Sequence, residues 1–331
     1  MGSTGPVRIA ARALVAAVAA TLLVSCSHDD GGPVLRVGAG NSDQADLIAE
    51  IYAGALARTG ARTAVVAHMG QRRDYLAALD AATVVLVGEV SGDLLTTFDP
   101  NSPAHLPDRT AAAGGAATNP AAAVDGPVGA APAPDVADAL SRALPQGLSV
   151  SDIADGTDLR PALLARATDD LPAALPDLAP RCADLTVGIA TGSELDPLRP
   201  APDPQRDVID PLHTRYGCDI THPTVYPSDT ELRKALQDGQ VQLGILTGPA
   251  ALLPGGTDGL TTIADPRYAF RARNVLPLFR TGSLTPVQIK KLNYVAGELT
   301  TAELIDMIAH LRDDHTSAAT LARTWLDAHS L

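Results

Sequence analysis

The strongest constraint on the fold is an alternation of short branched runs with segments of helical period, which occurs twice and is broken by a long stretch almost without bulky apolar residues. In the first half, Val34 to Gly38 reads as a buried strand ending in the turn Gly38-Ala39-Gly40. Asp46 to Leu56 sets Leu47, Ile51 and Ala55 on one helical face. Arg62 to His68 is again extended, Arg72 to Ala81 is helical with Leu76 and Leu79 inward, and Thr83 to Val87 has the branched composition of a central strand. Strands that alternate with helices predict an open, largely parallel sheet. From Asn101 to Asp138 the chain is mostly Ala, Pro and Gly, which bury too little surface to order as a core, so this is a surface excursion.

After extended segments at Leu148 to Ile153 and Arg160 to Ala165, a second alternation follows. Strands are expected at Leu185 to Ile189, Ile220 to Tyr226 and Val241 to Leu246, with helices at Val208 to Tyr216 and Asp229 to Gln237, and Gly239 at a left-handed helix stop. The last stretch is helical. Thr285-Pro286-Val287-Gln288 and Thr300-Thr301-Ala302-Glu303 both have capping-box spacing. Leu304, Met307, Ile308 and Leu311 form one stripe, and a third helix runs from Ser317, with the single tryptophan, Trp325, assigned to the core.

The N-terminus sets the compartment. Arg8 and Arg12 precede an acid-free apolar run, Ala13 to Val24, which ends at Leu23-Val24-Ser25-Cys26. The run is shorter than the ~20 residues of a spanning helix, so residues 1–25 are expected to be a signal peptide. The last four residues resemble a bacterial lipobox. This implies lipidation of Cys26, a polar tether over 26–33 and an extracytoplasmic protein anchored to the cell membrane. The other two cysteines, Cys182 and Cys218, then lie in an oxidising compartment, which favours a disulfide between them over two free buried thiols.

The formal net charge of −13 deepens when Arg8 and Arg12 leave with the signal peptide. Nucleic acid is therefore not an expected partner. The chain has no G-x-x-x-x-G-K-[ST], H-E-x-x-H or G-x-S-x-G motif. Gly88-Glu89-Val90-Ser91-Gly92 approaches the last of these with the wrong spacing. His310 and His315, five apart, fall on different helix faces. No enzyme, metal site or cofactor is expected.

Several runs carry a resemblance in the same order. They are Val37-Gly38-Ala39-Gly40-Asn41 with Ala49-Glu50-Ile51-Tyr52, Gly88 to Gly92, Leu144 to Ser149 (LPQGLS), Leu178 to Cys182 with Tyr216-Gly217-Cys218, Ala235 to Gly239, Arg273 to Leu278, Glu298 to Leu304, and Trp325 to His329. Together they resemble the substrate-binding proteins of osmoprotectant ABC transporters, which bind glycine betaine, carnitine and choline. The resemblance implies a two-lobed α/β fold of the type II periplasmic-binding kind, with lobe one over 34–155 plus 251–331 and lobe two over 156–250. It implies a monomer that captures a small zwitterion or quaternary amine in the crevice and delivers it to ABC permease subunits. The alternative is an envelope lipoprotein with the same fold but another ligand, or a sensor or scaffold role.

The ligand chemistry departs from the family. A quaternary ammonium is usually gripped by aromatic faces, yet aromatic residues make up 3% of this chain. The family's aromatic positions fall on Ser42, Val90 and near Thr247, and an amide position falls on Ala45. The remaining candidates for ligand contact are Asn41, Ser42 and Gln44 at a helix start, Arg72 and Tyr75 on the second helix, Glu89 and Ser91 after the third strand, and Tyr226, Ser228 and Thr247 in the second lobe. Helix caps and solvated turns place residues of the same types, so each candidate has that structural explanation too.

Overall fold

The computed structural model describes residues 2, 32–107, 135–193, 199–252 and 256–331. The expected signal peptide, lipidated Cys26, most of the tether and the larger part of the Ala/Pro-rich excursion lie outside the described residues.

The first sheet is built as the alternation predicts. Strands β1 (Leu35–Gly38), β2 (Thr63–Val66) and β3 (Leu86–Val90) pair in parallel, in the order β2-β1-β3. Helix α1 (Asp43–Ala57) starts where the Ser42 hydroxyl accepts the Ala45 N–H. It buries more than one stripe, Leu47, Ile48, Ile51, Tyr52, Ala55 and Leu56, because it packs on the sheet and also on the C-terminal helices. Gly88 lets it seat: a Cβ there would lie 2.4 Å from Ile48 Cγ2. Helix α2 (Arg72–Asp80) follows β2, and α3 (Ser91–Phe98), which the sequence pattern did not reveal, follows β3 directly. Leu106 bridges Asp135, and α4 (Val136–Ala143) begins inside the stretch expected to be an excursion, with Val136, Ala139 and Leu140 buried.

Strand β4 (Leu148–Val150) lies at the sheet edge, after which the chain crosses to a second sheet. There β5 (Leu163–Arg166), the short α5 (Leu175–Leu178), a 3-10 turn over Ala179–Asp184, β6 (Val187–Ala190), a wide turn over Pro204–Ile209, α6 (Asp210–Tyr216), β7 (Pro223–Tyr226), α7 (Asp229–Gln237), β8 (Leu243–Ile245) and β9 (Leu260–Ile263) follow. The order is β7-β6-β8-β5-β9, with β6, β7 and β8 parallel and β5 antiparallel to both its neighbours. Leu252, just after residue 250, is buried in the core of the first lobe, and the chain then adds β9 to the second sheet before it returns.

The returning strand β10 (Val275–Arg280) inserts antiparallel between β3 and β4. Helices α8 (Pro286–Glu298), α9 (Thr301–Asp313) and α10 (Ala318–Ala328) then cover α1, and both expected capping boxes form, at Thr285 with Gln288 and at Thr300 with Glu303. Trp325 is buried in the core shared with α1. The chain thus has two helix-flanked sheets joined by two crossings, the two-lobed α/β arrangement that the resemblance implies.

Cys182, in the 3-10 turn, and Cys218, just after α6, are fully buried and disulfide-bonded, 36 residues apart. Closing a loop of this length restricts the unfolded chain by roughly 3–4 kcal/mol. The double substitution Cys182→Ser, Cys218→Ser should lower the unfolding free energy in urea by about that amount, and reductant should then have no further effect on the variant.

Candidate functional site

Residues that follow the parallel strands β1, β2, β3, β6 and β8 meet at a common crevice, the position where open α/β sheets bind ligands. A cavity of about 80 Å³ lies there. Lobe one contributes Ser42, Gln44, Ala45 and Ile48 from the start of α1, Arg72 and Tyr75 from α2, and Gly88 to Val90 with Asp93 from the β3–α3 junction. Lobe two contributes Ser193, Arg199 and Thr247 to Pro249, and the two crossings contribute Leu159 and Arg273. Ser42, Ala45, Val90 and Thr247 all line this cavity, and none of them is aromatic. Tyr75 is the one aromatic residue in its lining.

Six of the ten expected contact residues line the cavity: Ser42, Gln44, Arg72, Tyr75, Glu89 and Thr247. The other four sit elsewhere for identifiable reasons. Asn41 accepts the Gly70 N–H at 2.8 Å and pins the turn before α2. Ser91 is fully buried and holds the second crossing, accepting the Asn274 N–H at 3.0 Å and donating to the Ala272 carbonyl at 3.3 Å. Tyr226 packs on the apolar cluster beneath α7, and Ser228 caps α7 by accepting the Glu231 N–H. Three charged lining residues were not expected from the sequence: Asp93, Arg199 and Arg273. Asp93 sits in the first turn of the unforeseen α3, where an acidic residue suits the helix dipole; that position is the only local signal it carries.

The lining is dominated by ion pairs. Glu89, buried at 3% exposure, accepts Arg72 Nε at 2.8 Å and Arg72 Nη2 at 3.0 Å, the Tyr75 hydroxyl at 2.7 Å and the Val90 N–H at 3.1 Å. This is the bidentate fork that guanidinium and carboxylate planes favour. Asp93 stands among three guanidinium groups, accepting Arg199 Nη2 at 3.1 Å and Arg273 Nη2 at 2.9 Å, with Arg72 Nη2 at 3.9 Å. Arg273 also donates to the Thr247 carbonyl at 3.1 Å, and its buried Nε has no hydrogen-bond partner among the described residues. Behind Thr247, the buried Asp229 takes that residue's N–H at 2.8 Å and its hydroxyl at 2.6 Å.

The titration behaviour follows from this geometry. Burial opposes ionisation of Asp93, but Arg199, Arg273 and Arg72 outweigh it and hold its pKa at about 2. Burial, with Arg199 close by, pushes Arg273 down to about 10 against the pull of Asp93. Burial also raises the Tyr75 phenol, and the Glu89 carboxylate adds to the shift, so Tyr75 serves as a hydrogen-bond donor. No group of His, Cys, Asp or Glu side chains suited to a metal ion occurs among the described residues.

Removing Arg72 would leave the Glu89 carboxylate buried without its ion partner. Arg72→Ala should therefore destabilise the protein by about 3–5 kcal/mol, as broken buried pairs do, and Glu89→Gln in the same chain should recover part of the loss in a denaturant titration. The folded pKa of Asp93 lies below its unfolded value, so its contribution is present above about pH 4 and fades as pH falls towards about 2. That contribution is about 2 kcal/mol. Unfolding measured across this window should show a steeper loss in the natural protein than in Asp93→Asn.

Residues 201–328 match the OpuAC family, described as the substrate binding domain of ABC-type glycine betaine transport systems. No curated protein sequence matches the chain. Among solved structures, a glycine betaine/carnitine/choline ABC transporter protein has a TM-score of 0.65 at 15% identity, covering 90% of this chain and 98% of its own. YehZ from Escherichia coli, solved without ligand, has a TM-score of 0.63 at 15% identity over 90% and 99% of the two chains. These likenesses extend the fold over the whole described molecule. The resemblance read from the sequence therefore stands: the chain has the two-lobed fold of the ABC transporter substrate-binding proteins, and from residue 201 to 328 it carries the sequence signature of their glycine betaine-type domain.

Proposed function

We propose that this protein is the extracytoplasmic solute-binding subunit of an ABC importer. In this reading it is anchored to the membrane through lipidated Cys26, acts as a monomer, and captures a small zwitterionic osmoprotectant of the glycine betaine type for its permease subunits. The observation that carries the reading is the position of the cavity, at the strand ends of both sheets with both crossings at its back. A solute there touches both lobes, so its binding favours the closed form over the open one. Among the described residues, no helix is long and apolar enough to cross a membrane.

The lining specifies the solute's anionic end better than its cationic end. Arg273 offers a buried donor, and the first turn of α1 at Ser42 and Gln44 adds the positive end of a helix dipole. A trimethylammonium group would meet one tyrosine whose hydroxyl is already bonded to Glu89. Each missing aromatic face forgoes up to ~2 kcal/mol. The same observation favours the second reading, a solute-binding lipoprotein whose ligand is not a quaternary amine.

A thermal-shift screen of the purified protein with glycine betaine, carnitine, choline, proline, sugars and amino acids separates the readings. A ligand at 100 times its dissociation constant stabilises the folded state by about 2.7 kcal/mol. A shift with glycine betaine or proline but none with choline, which lacks a carboxylate, is the expected result. A response to choline alone would reverse the assignment of the anionic end, and no response to any solute would remove the transport reading.

A further inference from the structure

Among the described residues, the charged groups that line the crevice do not balance. Three guanidinium groups, Arg72, Arg199 and Arg273, face two carboxylates, Glu89 and Asp93. Glu89 is saturated by Arg72, Tyr75 and the Val90 N–H. Asp93 is different in kind. It projects from α3 into the space between the lobes and bonds at once to Arg199 of lobe two and Arg273 of the second crossing. It thus stands where the carboxylate of a small solute would be held by the same guanidinium groups. Among the described lining residues the excess is one positive charge, and the one buried donor without an acceptor is Arg273 Nε, on a side chain only 10% exposed. Asp229, behind Thr247, bonds that residue's N–H and hydroxyl.

We propose that Asp93 is the specificity-determining residue of the crevice: a built-in carboxylate that fills most of an arginine-lined anion site and leaves room, in charge and in donors, for one singly charged anionic group. The inference rests on the crevice being the solute site. On this account a solute with one carboxylate fits beside Asp93 against Arg273, whereas a dianion is rejected by a carboxylate that the surrounding arginines keep ionised. Close approach of these groups requires Gly92, because a Cβ there would lie 2.4 Å from the Ala272 carbonyl oxygen of the crossing.

The test compares the natural protein with Asp93→Asn, which keeps the shape and removes the charge, by calorimetric titration with glycine betaine, L-proline, succinate and sulfate. The natural protein should take glycine betaine or proline in preference to succinate and sulfate. In Asp93→Asn the affinity for succinate and sulfate relative to glycine betaine should rise by about tenfold or more. An unchanged ratio, or succinate bound by the natural protein as well as glycine betaine, overturns the proposal and leaves solute capture standing. If the natural protein binds none of the four while Asp93→Asn takes sulfate, the role of Asp93 holds and the import reading falls; if neither protein binds any, both fall. Should Asp93→Asn not fold, Arg199→Gln serves in its place. It brings the local count to zero and should weaken glycine betaine and proline about tenfold, and undiminished binding there overturns the proposal.

Discussion

The crevice depends on two chain crossings that are bonded to each other. Leu159 N–H donates to the Arg273 carbonyl at 2.8 Å, Val275 N–H donates to the Thr157 hydroxyl at 2.9 Å, and the Asn274 side-chain amide donates to the Thr157 carbonyl. Ser91, at the head of α3, locks onto the same segment through the N–H and carbonyl of Asn274. Buried backbone polar groups must be paired somewhere, and here that requirement holds the two crossings together as one unit. Arg273 lies within it, so its guanidinium is placed by backbone bonds on both sides rather than by a flexible loop.

Burying charge between the lobes is tolerable only in this paired form. An isolated ion away from water is costly, whereas a guanidinium fork on a carboxylate recovers much of the penalty. Glu89 and Arg72 form such a fork within lobe one. Asp93 does so across the lobes, with one oxygen on Arg199 and the other on Arg273. Contacts between the lobes and the electrostatics of the crevice are therefore carried by the same few side chains, and a change at Asp93 acts on both.

Much of the scaffold was legible locally. The boundaries of α7 coincide with the expected ones, Ser42, Thr285, Thr300 and Ser317 cap the helices they precede, and Trp325 is a core residue. The disulfide followed from compartment and parity. Of the expected contacts, Ser42, Gln44, Arg72, Tyr75, Glu89 and Thr247 reached the crevice. Ser91, Tyr226 and Ser228 did not, because a cap or a packed ring looks the same in sequence as a ligand contact. Helix α3 was missed because its eight residues follow β3 without a turn signal.

The sequence by itself determined which segments alternate, where several helices are capped, and that aromatic residues are few, since each of these is set by residue type and by neighbours within a turn or two. Only the tertiary structure decided which charged groups meet in the crevice. Asp93 and Arg273 are 180 residues apart, and Arg199 and Asp93 are 106 apart. The antiparallel insertion of β10 between β3 and β4 carries the second crossing back beside α3. No local pattern reports such distances, because the charges meet only when two separately patterned sheets share one crevice.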